Sequence, residues 1–328
     1  MSKLTIHTET WHYNSVFRIA REARTSSSLI MLELEENGLI GKGEACPYPR
    51  YNESVAGVVA QIESVRGKIE NNCNNSELLN ILPAGAARNA LDCAMLDLAS
   101  KQQKKSVASI MCLNFSRLGK TCDTIVIDTP EKMCEAAVAR KNFPLLKVKL
   151  DADNIIERIA AVRRASPQAK IIIDANEAWS IDDLLATDSA LFDLGVELIE
   201  QPLKAGDDAA LAQYKGKIPL CADESTQGVD NLEYLRQCYG FLNIKLDKTG
   251  GLTAAMAQVI EAKNMGFGIM VGCMVGTSLA MAPAAHLAGL ADYLDLDGPV
   301  FLKNDRDMPI KYDNGNYTLP DTGLWGEG

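Results

Sequence analysis

Histidine is scarce in this chain: His7, His12 and His286 are the whole supply in 328 residues. Three scattered imidazoles give poor support to a histidine-rich metal site or to a nucleophile–His–acid triad. Cysteine is present but unpatterned. Nine thiols, an odd number, run from Cys46 to Cys273 with no CxxC, which argues against sulfur-bound zinc and for the reduced thiols of a cytoplasmic protein. Basic charge is in deficit. A formal net charge of −10 disfavours a nucleic-acid partner and gives an anionic membrane nothing to attract. The opening MSKLTIHTETWHY lacks an apolar signal core, and no uninterrupted apolar run reaches bilayer length. The expectation is a cytoplasmic protein that binds neither nucleic acid nor membrane. A homo-oligomer is compatible with this composition.

What the chain does have is a series of short apolar runs that each end in a charge: LLKVK at Lys149, KIIID at Asp174, VELIE at Glu200, PLCAD at Asp223 and FLNIK at Lys245. Their Ile/Leu/Val content suits strands of a sheet covered on both faces. The charged ends are 25, 26, 23 and 22 residues apart, about one strand–helix unit each. Single cases could be helix caps. Five in succession call for a shared cause, and a (β/α) barrel provides one, because its active site lies at the carboxyl ends of its strands. A strand ending near residue 127 precedes the five, and strands ending near 272 and 296 follow, the last without a helix. The fold class expected is α/β, a modified TIM barrel (β/α)7β with an α+β N-terminal capping domain.

Residues 3–10 and 28–35 read as strands and LIGKGEACPYP as a third, with Glu35–Gly38 as the hairpin turn. FRIAREARTSS, between the first two strands, has no clear period and reads as a projecting loop. Helical periodicity marks ESVAGVVAQIESVRGKI and the stretch after Gly85, where Ala87, Ala90, Leu91, Ala94, Met95 and Leu98 form one close-packing face. The expected domains are a capping domain over 1–118, a barrel over 119–299, and a C-terminal segment, 300–328, returning to the cap. No Pro/Gly-rich linker separates cap from barrel, so a rigid, extensive junction is expected.

Strand counting sets Lys149 and Lys245 on opposite sides of the barrel mouth, with Asp174, Glu200 and Asp223 along the wall between. Three oxygen donors with little sulfur or imidazole nearby suit a hard cation, Mg²⁺ first. A cation holding a substrate carboxylate would let a lysine remove the neighbouring proton and a second return one from the other face, the requirement for two-base epimerisation. Lys147, two residues before Lys149 on the same side, would disfavour protonation of Lys149; Lys248 is a rival to Lys245. Asp295 and Asp297, with no obvious internal base as partner, could bind a substrate ammonium or merely cap and solvate the rim. Arg24 could bind a distal carboxylate or simply face solvent.

The motifs KVK at 147–149, IDAN at 173–176, IEQP at 199–202, ADES at 222–225 and IKLDKTGG at 244–251 resemble the enolase superfamily, in its muconate-lactonising-enzyme-like group. GEACPYPRY at 43–51 and DLD at 295–297 extend the resemblance to the dipeptide (L-Ala-D/L-Glu) epimerases. This resemblance implies Asp174, Glu200 and Asp223 as ligands of one Mg²⁺ and Lys149 and Lys245 as acid/base lysines. It implies Lys147 at the substrate carboxylate, Thr124 at a substrate-contacting position, and Asp295 with Asp297 at the dipeptide amino group. Arg24 falls at the arginine that grips a glutamate side chain, and Cys273 and Met274 fall in the loop over the substrate backbone. The implied reaction is Mg-dependent epimerisation of L-Ala-D-Glu to L-Ala-L-Glu through a metal-stabilised enediolate, in murein peptide recycling.

The rivals are an N-acylamino-acid racemase or o-succinylbenzoate synthase, whose substrates lack the free ammonium. A different class is a non-catalytic peptide-binding barrel, for which two opposed lysines have no use.

Overall fold

Strict alternation along the central strands decides which side chains face inward. In KIIID and VELIE the apolar residues Ile171, Ile173 and Ile199 join the large core beneath the helices, while Ile172 and Leu198 form a separate inner layer with Cys221 and Met270. Two residues further along, on that same inner face, stand Asp174 and Glu200, because successive side chains of a strand take opposite faces. The inner layer closes the barrel below and the charged residues stand on top of it.

The structure, a computed structural model, describes residues 2–226, 228 and 231–327. Strands β1 (Lys3–Arg18), β2 (Ala23–Glu36) and β3 (Leu39–Ala45) form an antiparallel sheet in sequence order. Asn37 and Gly38, both at positive φ, make the β2–β3 turn. The helix Ala86–Gln103 lies directly on β3. A Cβ at Gly43 would fall 2.1 Å from Ala90 O, and one at Gly41 would fall 2.2 Å from Ala94 O. Its alanine-rich face is what permits that approach.

Strand β4 (Leu118–Lys120) leads to an eight-stranded parallel sheet: β5 (Asp123–Ile125), β6 (Leu145–Lys149), β7 (Lys170–Asp174), β8 (Val196–Glu200), β9 (Leu220–Ala222), β10 (Phe241–Ile244), β11 (Gly268–Val271) and β12 (Tyr293–Leu294). The strands pair in chain order, and Cys122 N donates to Leu294 O at 2.8 Å, joining the two ends. This is the expected TIM-barrel-like α/β fold. β12 is followed by a 3-10 turn, Gly298–Phe301, rather than an eighth helix. The units after β8 and β9 hold less helix than a full repeat, a 3-10 segment Asp208–Gln213 and the four-residue helix Leu232–Leu235.

The chain finishes with the hairpin β13 (Lys311–Asp313) and β14 (Asn316–Thr318), β14 pairing with β4. Trp325 Nε1 donates to Cys93 O at 3.0 Å. Arg306, in the C-terminal segment, ties the β1–β3 sheet to the barrel: its guanidinium reaches Glu9 at 2.5 Å and Glu44 at 2.7 Å, lies over the Trp11 ring and donates to Thr277 Oγ1 at 3.1 Å. Asp247 Oδ1, just beyond β10, accepts from Cys46 N at 2.9 Å and Asn89 Nδ2 at 3.1 Å.

One segment departs from expectation. Residues 17–27 continue the β1–β2 hairpin, Phe17 pairing with Arg24 and Arg18 with Ala23 across a bulge after His12. The tip is fastened to the barrel mouth: Arg21 Nη1 donates to Asn176 O at 2.8 Å and pairs with Glu177 at 2.9 Å and Glu224 at 2.6 Å. Those tertiary partners, absent from any local pattern, hold the polar run in strand form.

Candidate active site

Register assembles the polar layer. Lys149 is paired across the sheet with Asp174, Asp174 with Glu200, and Glu200 with Cys221. Asp223 and Lys245 lie immediately beyond β9 and β10. Lys147, Lys149, Asp174, Glu200, Asp223 and Lys245 are all buried, so every charge needs a partner within reach. Lys149 Nζ lies 2.5 Å from Asp174 Oδ2, and Lys245 Nζ lies 2.5 Å from Asp223 Oδ2. Lys147 Nζ is shared by Asp174 at 3.1 Å, Glu200 at 2.7 Å and Asp295 at 2.6 Å.

The field in this layer is strongly divided. Burial favours neutral Asp174 and Asp223, yet the adjacent ammonium groups, Lys149 for the first and Lys245 for the second, hold both carboxyls below the ordinary range. Glu200 is different. Burial, with Asp174 beside it, pushes its carboxyl up to about 8 despite Lys147. Burial also opposes charge on Lys147 and Lys245, but the surrounding carboxylates, led by Asp295 and Glu200 for the first and by Asp223 and Glu200 for the second, together raise both amines.

Asp174, Glu200 and Asp223 carry the donor chemistry that a hard divalent cation takes, though their carboxylate oxygens do not all lie within 4.8 Å of one another. The three stand on consecutive strand ends, and Glu200 is short of positive charge. Among the described residues, the group whose donor atoms do lie within 4.8 Å of one another, one atom each, is Cys122, Asp295 and Asp297. It is a poorer seat for a cation. Lys147 already neutralises Asp295, and burial drives the Cys122 thiol well up, leaving it a donor to Asp295 Oδ1 at 3.1 Å.

Above the layer, under the hairpin tip, is a partly enclosed cavity. Of the residues singled out from sequence, Arg24, Lys149, Asp223, Lys245, Cys273 and Met274 line it. Thr124, Lys147, Asp174, Glu200, Asp295 and Asp297 are buried outside that lining. Met274 packs with Leu29, Cys46, Trp11, Tyr48 and Tyr51, sealing the hairpin sheet to the barrel. Arg24 points into the cavity with its guanidinium 4.4 Å from the Tyr48 ring centroid and its Nε 2.8 Å from Glu22. Lys248 does not line the cavity. Its amine is tied to Asp223 Oδ1 and to the carbonyls of Asp223 and Asn243, at 2.6, 2.6 and 2.9 Å.

Asp295 is not without a base: Lys147 reaches it past β5. Asp297 accepts from Thr124 N at 2.7 Å, and burial beside Asp295 and Asp123 drives its carboxyl well up. Arg21, Tyr48, Tyr51, Asn176 and Glu224 also line the cavity, a role that the sequence alone does not give them. Nor does it give one to Asn243, which donates to Glu200 Oε1 at 2.6 Å. The inward face of Asn243 is nonetheless legible, since it stands two residues before Lys245.

Comparison with known proteins agrees with this geometry. The profile of the mandelate racemase/muconate lactonizing enzyme N-terminal domain matches residues 1–112, and that of the enolase C-terminal domain-like family matches residues 131–325. An L-Ala-D/L-Glu epimerase of Escherichia coli (strain K12) is 45% identical over 97% of this chain and 100% of its own length. An N-acetyl-D-glutamate racemase of Pseudoalteromonas sp. is 46% identical over 91% of this chain and 95% of its own. The crystal structure of an enolase family member from Agrobacterium tumefaciens, homologous to dipeptide epimerases and bound to sodium and L-Ala-L-Glu with an ordered loop, superposes with a TM-score of 0.97. It is 40% identical and covers 99% of this chain and 100% of that one.

Proposed function

Because the chain belongs to the enolase superfamily, in its mandelate-racemase/muconate-lactonizing-enzyme-like group and dipeptide-epimerase family, we propose that it converts L-Ala-D-Glu to L-Ala-L-Glu by inverting the C-terminal α-carbon. The protein is an isomerase, an epimerase or racemase of small amino-acid or dipeptide substrates that uses a divalent metal.

The observation that carries it is the pair Lys149 and Lys245, lining one cavity from strands four places apart and each fixed by a carboxylate at 2.5 Å. Asp174, Glu200 and Asp223 would hold the cation, which supplies positive charge that acidifies the C–H next to a substrate carboxylate. One lysine, as the neutral amine, takes the α-proton while the C–H electron pair moves into the carboxylate. The other, as the ammonium, delivers a proton to the opposite face of the same carbon. Lys147 faces the substrate carboxylate, Arg24 the glutamate side chain, and Asp295 with Asp297 the amino group. Thr124, Cys273 and Met274 border the dipeptide backbone.

In this reading residues 1–118 cap a barrel over 119–299, the segment 300–328 returns to the cap, and the protein works on murein peptides in the cytoplasm.

A second reading has its own observation. Asp295 already has Lys147, and the Asp297 carboxyl is pushed toward its neutral form, so the amino-group end makes a weaker demand for a cation. An N-acylated glutamate would meet that demand while keeping the contact at Arg24. The test is a Mg²⁺-dependent screen in D₂O, following α-deuteration by NMR for L-Ala-D-Glu, L-Ala-L-Glu and N-acetyl-glutamate. Rapid exchange and inversion of the dipeptides supports the first reading; exchange confined to the N-acetyl substrate replaces it with the second.

A further inference from the structure

Away from the cavity, four buried polar side chains from the segments that follow β8 and β9 form a closed set: Gln201, Asp208, Ser225 and Tyr239. Gln201 directly follows Glu200 and has a φ of +37°, a backbone state uncommon outside glycine. Its side chain spans to the next strand end. Gln201 Oε1 accepts from Asp223 N at 2.9 Å and Ser225 N at 3.1 Å. One amide oxygen thus couples the residue after Glu200 to the backbone of Asp223.

That coupling exists in one orientation of the amide. Turned over, the NH₂ group would confront two backbone N–H donors with nothing to accept them. The other end of the amide decides which orientation is held. Gln201 Nε2 lies 2.9 Å from Ser225 Oγ, 3.0 Å from Tyr239 OH and 2.9 Å from Leu203 O. A hydroxyl can meet an amide with its lone pair or with its proton. Here both hydroxyls spend their protons elsewhere, donating to the same Asp208 Oδ1 at 2.6 Å each. Their lone pairs are left for the amide hydrogens of Gln201. Asp208 is anchored in turn by Gly206 N, 3.2 Å from Oδ2.

We propose that Asp208 is a positioning residue: through Ser225 and Tyr239 it locks the Gln201 amide, and so sets the spacing between the Glu200 and Asp223 carboxylates. The inference rests on the reading that those two carboxylates hold the cation. It also gives a reason for the 3-10 segment Asp208–Gln213 after β8, which delivers a carboxylate beneath the strand ends.

The experiment measures Mn²⁺ affinity by the EPR signal of free Mn²⁺, on the intact chain, without substrate. Asp208→Asn keeps the shape but offers amide hydrogens to the two hydroxyls, freeing their protons to turn toward Gln201. The expected result is a roughly 10- to 100-fold weaker Mn²⁺ affinity, the range for outer partners of metal ligands, with activity recovering as metal is raised to saturation. Tyr239→Phe leaves Ser225 in place and gives a smaller loss in the same direction; it carries the test if D208N does not fold. Glu200→Gln is the control on the underlying reading. D208N and Y239F binding Mn²⁺ as the wild type does, while E200Q loses it, overturns the role of Asp208 alone. E200Q retaining full affinity overturns the cation reading instead.

Discussion

Lys147 Nζ lies 2.6 Å from Asp295 Oδ2, an ion pair between strands β6 and β12 in which the lysine is fully buried. In the proposed reading these two residues serve opposite ends of one substrate, Lys147 its carboxylate and Asp295 its ammonium. A zwitterionic dipeptide can replace the internal pair with two external ones. A substrate without the ammonium leaves Asp295 on Lys147. Asp295→Asn is therefore expected to lower kcat/KM for L-Ala-D-Glu by at least about tenfold, the loss of one hydrogen bond to a charged group. N-acetyl-glutamate should lose less. Equal losses on the two substrates would show that Asp295 serves only to neutralise Lys147.

Arg24 is held at the cavity wall by Glu22 and stacked over Tyr48, so its guanidinium is aimed before any ligand arrives. Arg24→Ala should raise KM for a dipeptide ending in glutamate by about 10- to 100-fold, the range of a charge-assisted hydrogen bond, with little change for one ending in a neutral residue. Steady-state kinetics on L-Ala-L-Glu and L-Ala-L-Leu check this; an equal rise for both would remove Arg24 from side-chain selection.

His286 supplies a pH dependence away from the site. Its ring stacks on Phe115, meets Trp325 edge-on and bonds Ala282 O at 2.9 Å. Burial lowers its pKa from 6.5 to about 4. The unfolded chain therefore binds this proton more readily than the folded one. The stabilisation is complete above pH 6.5 and is lost as pH falls toward 4, about 2 kcal/mol of it between pH 7 and pH 5. Denaturant unfolding at those two pH values should show a smaller drop in His286→Gln than in the wild type. Identical drops would mean the ring is solvated when charged.

Much of the barrel was legible because a buried strand ending in a charge is costly, and KVK, IIID, LIE and their successors repeat that expense at one spacing. The reduced helices after β8 and β9 were not legible, since PLKAGDDAALAQYKG contains apolar residues without showing that its turns serve Asp208. Nor was the Lys147–Asp295 pair, whose members are 148 residues apart and meet only after the sheet closes. The 17–27 hairpin has the sequence of a loop for a related reason. Its strand form depends on Arg21 finding Glu177 and Glu224, partners that only the finished fold brings within reach. Inward-facing Asn243 and Gln201 could be assigned a face or a motif from sequence, but their bonding depends on neighbouring strands.

The helix Ala86–Gln103 and β3 meet so closely that Gly43 has no room for a methyl group: a Cβ would contact Ala90 O at 2.1 Å and Ala94 N at 2.8 Å. Both are backbone atoms of a packed helix, so the clash cannot be relieved by a rotamer change. Gly43→Ala should cost about 1–3 kcal/mol in denaturant unfolding, the usual range for overpacking. Because β3 leads through Cys46 to Tyr48 and Tyr51 at the cavity, some loss of activity should accompany it. An unchanged midpoint would mean that helix and sheet part readily.

The strongest expectation concerns the two lysines themselves. In the proposed mechanism each stands on its own side of the α-carbon, so removing one leaves proton abstraction possible for the diastereomer whose C–H faces the survivor. Lys149→Ala and Lys245→Ala should each reduce epimerisation by roughly 10²- to 10⁴-fold, the contribution of a positioned general base. Their exchange behaviour should differ. In D₂O one variant should still deuterate the α-carbon of L-Ala-L-Glu without inverting it, and the other should do so with L-Ala-D-Glu. NMR of the α-proton, read separately for the two diastereomers, distinguishes the pattern. If one variant loses exchange with both diastereomers while the other keeps exchange with both, a single base works from one side and the opposed-lysine mechanism is wrong.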